Sequence, residues 1–422
     1  MIEHIYDNDK SSQLTNYEPV RSLRILVAVS VPYPEGRSDT RRLRTFTREL
    51  VLQGCQIDVF LPYSRIPQSC PQIIDGTQVE WSLIPKQGHS FLTARGRVKL
   101  QVHLIGRFKW LWGVWRKLSS DQYDWLYLYQ PGIDSLIAAA IARIYGRKVC
   151  SEYVDALSPD GYKGLILRLV YLSQLMSNQL IPLLSHHILT ISSSLEQHYR
   201  EKAKHATIMR FPIIVDTERF GHGEGRRFRK QLGLNGRFII AYTGSFARPQ
   251  GLRVLIEAVS KVVKQHPEVV LLIAGGSLAA ESDDPDALIK REHLEAQVRY
   301  LGALGEAEVI ELQSAADVLV MPKLDDPVNH AGLSTKLAEY LMSGNAVIAS
   351  NVGDVNKYLV HERDAWLVAP GDCTALEDAI TFLLQQDQLR YSLGVNGQKV
   401  AISAFGARAN VARLAAAFRR YL

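Results

Sequence analysis

Four cysteines are spread through 422 residues, and Cys55, Cys70, Cys150 and Cys373 form no CxxC pair. A zinc knuckle and a secreted disulfide framework both depend on paired spacings, so neither is signalled, and a reducing cytoplasm fits best. The sequence also lacks any clean run of about 18 apolar residues, which argues against a spanning helix. No apolar stretch precedes Leu23, and Met1 to Asp7 is acidic, unlike the basic start and apolar centre of a signal peptide. Residues 1–20 read as a flexible arm. Acidic residues are missing altogether from Trp81 to Ser120, where Lys86, Arg95, Arg97, Lys99, Arg107, Lys109, Arg116 and Lys117 are basic.

What is present is a globular composition: 47% hydrophobic residues, with 49 basic against 43 acidic side chains and a net charge of +6. The length favours two or three domains at roughly 150 residues each. The excess of positive charge sits in residues 1–220, with 27 basic and 20 acidic side chains, and the remainder has 22 and 23. A basic first half suits an anionic partner, either a phosphorylated small molecule or a membrane surface. A nucleic-acid role is poorly supported, because the basic residues alternate with a tryptophan-rich apolar face and no binding module is evident.

Short β-branched runs alternate with helical periodicity along the chain. Ile25 to Val29 reads as a strand buried on both faces, Asp39 can cap a helix reaching Gln53, and Gln56 to Leu61 is a second strand. The rhythm continues through a strand at Trp125–Tyr129, a helix at Asp134–Tyr145 and strands at Arg147–Cys150 and His187–Ile191. It breaks at Phe211-Pro212 and at the glycine-rich Gly221 to Gly225, then restarts with strands beginning at Phe238, Val269, Val298, Val318, Ala346 and Ala365. The expected architecture is α/β: two doubly wound Rossmann-like domains facing a cleft. The expected bounds are 21–212, a flexible linker at 213–225, and 226–400, with a helix over 401–422 packing back toward the first domain.

Ligands of open parallel sheets bind at the carboxyl ends of strands, so the loops there are the place to search. After Met321 a polar loop opens into a short helix that Ser334 can cap and Gly344 ends. Free N–H groups at Thr335, Lys336 and Leu337 beside the Lys336 ammonium form an anion site suited to a diphosphate. Glu339 lies about one turn further in, where a carboxylate can accept ribose hydroxyls. A capped helix with an ordinary Lys–Glu surface pair accounts for the same residues.

Four stretches are similar to the family 4 glycosyltransferases: Ile25 to Tyr33 with Asp39-Thr40-Arg41; Phe211 to Phe220; Tyr242-Thr243-Gly244-Ser245 with Gly251; and Gly332 to Gly344 running into Ala346–Ser350. The resemblance covers residues 23 to about 400 and implies the GT-B fold. It further implies retaining sugar transfer from a UDP- or GDP-sugar, with the donor on the second domain and the acceptor on the first. No cofactor and no metal are required. It places the donor against Gly244, Ser245, Arg248, Gly275, Leu301, Asn329, His330, Gly332, Leu333, Ser334, Thr335, Lys336, Leu337 and Glu339, with Arg248, Lys336, Glu339 and Asp155 the candidate catalytic groups. Acceptor contacts are expected at Gly36, Asp39, Arg41, Glu152 and Asp155.

The sequence departs from that family at three places. Ala331 stands where a first glutamate is common, leaving its contact to Asn329, His330 or Asp326. Gln250 replaces a lysine, so diphosphate charge falls to Arg248, Lys336 and helix-end N–H groups. No histidine follows Cys150, where Asp155 is the nearest polar candidate. The Ala331 and Gln250 departures also allow a protein that binds nucleotide or partners without transfer, and a nucleotide-sugar epimerase or phosphorylase on the same fold is the alternative among enzymes. Asp284-Pro285-Asp286 reads as a solvated acidic loop rather than a metal site, and His186-His187 as structural, since consecutive strand side chains point oppositely.

Between residues 91 and 118 one helical face gathers Leu104, Ile105, Phe108, Leu111, Trp112, Trp115 and Leu118, with Lys109, Arg116 and Lys117 opposite, and Trp110, Trp112 and Trp115 suit a headgroup boundary. This pattern serves either an anionic membrane surface or packing on the domain's own sheet. On the first reading the acceptor is glycan or lipid-linked, as in polysaccharide assembly, and the protein is peripheral on the inner face of the membrane.

Overall fold

The computed structural model describes residues 22–29, 33–34, 38–64, 69–84, 96–120, 122–155, 165–220, 223–276 and 282–421. The expected arm at 1–20 and Gly36 lie outside them. Two sheets organise the chain. The first contains β1 (Arg24–Ala28), β2 (Gln56–Leu61), β3 (Gln72–Ile74), β4 (Thr77–Trp81), β5 (Trp125–Tyr129), β6 (Lys148–Tyr153), β7 (His187–Thr190) and β8 (Thr207–Arg210), in the order β3-β4-β2-β1-β5-β6-β7-β8. The second contains β9 (Phe238–Gly244), β10 (Val269–Gly275), β11 (Val298–Tyr300), β12 (Val318–Met321), β13 (Ala346–Ser350) and β14 (Trp366–Val368), in the order β11-β10-β9-β12-β13-β14. All described pairings are parallel except the β3–β4 hairpin.

Parallel strands covered by helices must be apolar on both sides. Trp125 to Tyr129 accordingly has all five side chains buried, and so does Ala346 to Ser350. On one face of the first sheet α1 (Ser38–Leu52) inserts Leu43, Phe46 and Leu50, and Gly54, at φ +80°, closes the turn after it. Asp39 is not its cap: the helix begins at Ser38, and Asp39 Oδ1 accepts from the Thr40 N–H at 2.8 Å. On the other face lie α2 (Gly96–Ser119), α3 (Ile133–Ile144) and α4 (Leu165–Leu184). There Trp110, Val114 and Leu118 meet Leu26, Phe60, Leu126 and Leu128.

The order reverses between β1 and β5 in the first sheet and between β9 and β12 in the second. Those are the switch points where a crevice opens. The chain passes between the sheets twice, at Pro212–Val215 and Phe405–Ala407, and the two passages pair: Val215 N–H donates to the Phe405 carbonyl at 2.9 Å, and Ala407 N–H to the Val215 carbonyl at 3.1 Å. Ile213, Ile214 and Val215 are buried, so the expected flexible linker is a pinned crossing. Gly223 and Gly225 likewise serve close approach, since a Cβ on either would fall 2.1–2.2 Å from Ser314. The last helix, Ala407–Arg419, lies against α1 and stacks Phe418 on Trp125 at 4.5 Å.

Three strands escape the sequence reading: β3, β4 and β8. The β3–β4 hairpin turns at Asp75-Gly76, with φ +50° and +77°, the left-handed pair that an Asp-Gly dipeptide favours. Asp284 is also corrected. It caps the helix Pro285–Arg291 through the Asp286 N–H at 3.0 Å, so the acidic triplet starts a helix. His187 is buried against Trp125, Phe418 and Tyr421, and burial pushes its imidazole down to about 4.

Candidate functional site

The loops after β9 and β12 meet at the second switch point, and glycines let them close. Gly251, at φ +75°, leaves room for the Pro322 carbonyl, which a Cβ would approach to 1.7 Å. Gly244, at φ +134°, leaves room for the Lys336 ammonium, 2.7 Å from where its Cβ would stand, and Gly275 backs onto the Gly244 carbonyl in the same way. Leu301 binds the end of β10 through its N–H to the Ile273 carbonyl at 2.8 Å.

Lys336, in the first turn of the helix Thr335–Met342, lies 4.5 Å over the Tyr242 ring. It donates to Gln250 Oε1 at 3.1 Å and Tyr242 Oη at 3.3 Å. Burial, then the nearby Lys323 charge, pushes its ammonium down to about 7. Ser334 occupies the cap position without a side-chain bond to the helix, and the Leu337 N–H is not free, because it donates to the Ser334 carbonyl at 3.0 Å. The first two N–H groups, Thr335 and Lys336, have no intrahelical acceptor by geometry. Arg248, in the turn Arg248–Gln250, is exposed, and its guanidinium has no hydrogen-bonding or ion-pair partner among the described residues. Ser245 is exposed beside it.

Glu339 is brought to the cleft and met there by Arg41 of α1, whose Nη2 lies 3.0 Å from its Oε1. Burial raises the carboxyl pKa, and Arg41 opposes the rise. Asp155, at the end of β6, stands 3.6 Å from the position a Cβ on Gly332 would take, so it spans the two sheets. Its side chain is solvent-accessible, yet the surrounding walls desolvate it and raise its pKa, against a 3.0 Å hydrogen bond from Gln130 and the attraction of Lys323. Asp39 is close enough to add to that rise. Asp39, Arg41 and Asp155 therefore come together with Lys336 and Glu339.

Several expected contacts do not. Glu152 is 2% exposed and paired with Arg42, while Tyr127 donates to its other oxygen; it is a core group, out of reach of an acceptor. Arg42 uses its remaining donors on the Phe211 and Pro212 carbonyls. Asn329 is 1% exposed with its amide fully engaged: Nδ2 donates to the Pro249 and Leu324 carbonyls at 2.8 and 2.9 Å, and Oδ1 accepts from Lys323 at 2.8 Å. It shapes the loops and has nothing left for a ligand. His330 is exposed and paired with Asp325, and Leu333 is core. The arginines of α1 are not a free basic edge, since Arg44 pairs with Asp75 and Arg48 with Glu49 and Asp216.

Lys323 is the site residue that sequence reasoning missed. It is 8% exposed, two residues beyond β12, and burial holds its ammonium down at about 8. Its only sequence signal was its place in the loop after β12. Among the described residues no three His, Cys, Asp or Glu side chains are grouped to hold a metal ion.

Residues 225–400 match the family described as Glycosyl transferases group 1. A D-inositol 3-phosphate glycosyltransferase of Corynebacterium jeikeium is 27% identical over 192 residues, covering 43% of this chain and 45% of that protein. A phosphatidyl-myo-inositol mannosyltransferase of Mycolicibacterium smegmatis is 22% identical over 277 residues, covering 65% of each. The chain thus spans under half of the first relative and about two thirds of the second. Among solved structures, Anabaena HepE in complex with UDP superposes with a TM-score of 0.68 at 17% identity, covering 94% of this chain and 99% of that one.

Proposed function

From the match of residues 225–400 to the group 1 glycosyl transferases and the GT-B fold of the described residues, we propose that the protein moves a sugar from a UDP- or GDP-sugar to a glycan or lipid-linked acceptor with retention. The observation that carries the reading is the switch-point cluster: the Lys336 ammonium and the first N–H groups of its helix against Gln250 of the turn that also carries the exposed Arg248, with Glu339 one turn on. The diphosphate lies against the first group and the ribose hydroxyls against Glu339. The sheet of 226–400 holds the donor and that of 21–212 the acceptor, joined through 213–225, with 401–422 closing back on the first.

Transfer breaks the bond between the sugar's anomeric carbon and the diphosphate oxygen. Cations already in place stabilise the departing charge without reorganising, which is where such sites gain most of their rate. Asp155 and Asp39 both face this point from the first domain, Asp39 close enough to raise the Asp155 pKa, and this reading assigns neither as a nucleophile. A same-face attack follows, in which the acceptor hydroxyl bonds to the anomeric carbon and its proton passes to the leaving phosphate oxygen.

The outer surface of α2–α4 supports a peripheral membrane location. Trp110, Val114 and Leu118 fill the core and Lys117 pairs with Glu80, correcting the face expected from sequence. Ile105, Phe108, Trp112 and Trp115 stand exposed beside Lys109 and Arg116. Ile133, Ile137 and Ile144 of α3 and Leu169, Leu172, Met176 and Leu183 of α4 extend that surface. The one acidic residue on the three helices, Asp134, is buried against Arg107. Apolar area flanked by cations fits an anionic bilayer. Among the described residues no helix is long and apolar enough to cross one.

The test is protein-dependent nucleotide release from UDP-, GDP-, ADP- and CMP-sugars. Release from one donor, abolished by Lys336→Ala and by Glu339→Ala, supports the reading. Ala331 and Gln250, both departures from the family pattern, leave a second reading, nucleotide binding without transfer; binding without release in the presence of acceptor extracts supports that instead.

A further inference from the structure

Charged groups buried elsewhere in the molecule are paired. Arg42 meets Glu152, Arg48 serves Glu49 and Asp216, Asp354 holds Lys357, and Asp364 holds Arg363. An unpaired ion loses its hydration with nothing in return, so folds rarely keep one. The cleft keeps two unpaired, Lys323 buried and Lys336 partly buried. Neither Lys336 nor Lys323 has an ion-pair partner among the described residues, and each is near enough to the other for their charges to repel.

Lys323 is placed as firmly as a loop residue can be. Its ammonium donates to Asn329 Oδ1 at 2.8 Å, and the same asparagine holds the Pro249 and Leu324 carbonyls. Leu324 N–H donates to the Pro249 carbonyl at 3.1 Å, and the Pro322 carbonyl fills the space at Gly251. The loop carrying Lys323 is therefore locked to the loop carrying Gln250. An amide oxygen orients an ammonium but cannot neutralise it. The carboxylates that attract Lys323, Asp155 across the cleft and Asp326 at the start of the next short helix, do so from beyond contact. Gln250, where the family resemblance expects a lysine, spends its side-chain oxygen on Lys336.

We propose that Lys323 is a donor-binding residue, whose ammonium joins Lys336 on the donor's diphosphate and supplies from the loop after β12 the cation absent at Gln250. The assignment rests on the donor site described above. Its consequence is proton uptake. Burial holds Lys323 at about 8 and Lys336 at about 7 in the free protein, and a bound diphosphate raises both. The other charges facing them are Asp155, Asp326, Glu339, Asp39 and Arg41. Donor affinity therefore falls as pH rises from 7 to 9, and at pH 8 binding draws protons from the buffer.

Isothermal titration of the full chain with UDP, GDP and ADP at pH 8, in two buffers of different ionisation enthalpy, tests this. Wild type is expected to take up on the order of one proton per nucleotide bound. Lys323→Met is expected to weaken that nucleotide about 10- to 150-fold, the range of a charge-assisted hydrogen bond, and to reduce the uptake. Lys323→Arg, which keeps the charge and guards against a folding artefact, should retain affinity within several-fold. Equal affinity and equal uptake in wild type and Lys323→Met would overturn the assignment while leaving the donor site standing. Failure of wild type to bind any of the three would overturn the donor site itself.

Discussion

Replacing Lys336 by Met is expected to weaken the donor and stabilise the protein at once. The ammonium sits at about 7 in the folded chain, against about 10.4 in the unfolded one. A lysine with a depressed folded pKa costs stability fully below pH 7, and that cost shrinks as pH rises toward 10.4, because the unfolded chain binds the extra proton only in that window. The full shift corresponds to about 4–5 kcal/mol; allowing for partial exposure and relaxation, on the order of 2–3 kcal/mol is realistic. Lys336→Met should therefore melt at least about 2 °C higher than wild type at pH 6, with the gain more than halved at pH 9. The same change removes a charge-assisted contact to the diphosphate, worth about 2–3 kcal/mol, so UDP affinity should fall roughly 30- to 150-fold. Calorimetric melts at the two pH values and a UDP titration read both effects. A variant that melts lower at pH 6 and binds UDP within about threefold of wild type would refute both the anion site and the electrostatic reasoning.

Glu339→Gln keeps the shape and removes the charge. Because burial raises the wild-type carboxyl pKa, its contribution to ribose binding is present above that raised value and lost as pH falls through it, so the variant-to-wild-type ratio of UDP affinity should approach one as the pH is lowered. Arg41→Ala frees Glu339 from an ion pair of which Arg41 is 31% exposed; UDP should bind about threefold tighter at pH 8 by titration, in keeping with about 0.5–1 kcal/mol for such a pair, while transfer to acceptor falls. Changing Phe108, Trp112 and Trp115 together to Ser should abolish flotation with anionic liposomes at low salt and leave the melting temperature nearly unchanged, because all three are exposed. Arg42→Met should destabilise by about 3–5 kcal/mol in a denaturant titration, since it strands the Glu152 carboxylate in the core.

The fold was legible because parallel strands announce themselves as short apolar runs between turns, and most of the strands read from sequence lie within one or two residues of those observed. What failed was edge structure. β3 and β4 lie at the sheet's rim, where alternation such as Thr77 to Trp81 is diluted by exposed polar residues, although Asp75-Gly76 was a usable hairpin signal. In the site, Lys336 and Glu339 were legible because one helix carries both at fixed spacing. Arg41 on Glu339 and Arg42 on Glu152 were not, because the pairs are 298 and 110 residues apart and local pattern says nothing about which charges a fold brings together. Asn329 misled for the same reason: a polar residue in a cleft loop looks like a ligand contact until its amide is found saturated.

Buried cations of opposite meaning sit within one molecule. Arg42 is buried and Lys336 partly so, and a sequence reader sees two basic residues near functional loops. The difference lies in what they face. Arg42 has a carboxylate and two carbonyls spending its donors, so deleting it exposes a debt in its partner. Lys336 faces an amide, a phenol and an aromatic ring, none of which balances a full charge, so deleting it relieves the fold. Opposite signs of stability change from two losses of one positive charge would therefore separate a cation held by the fold for itself from one held for a ligand, before any donor is identified. If Lys323→Met behaves like Lys336→Met, it belongs to the second kind.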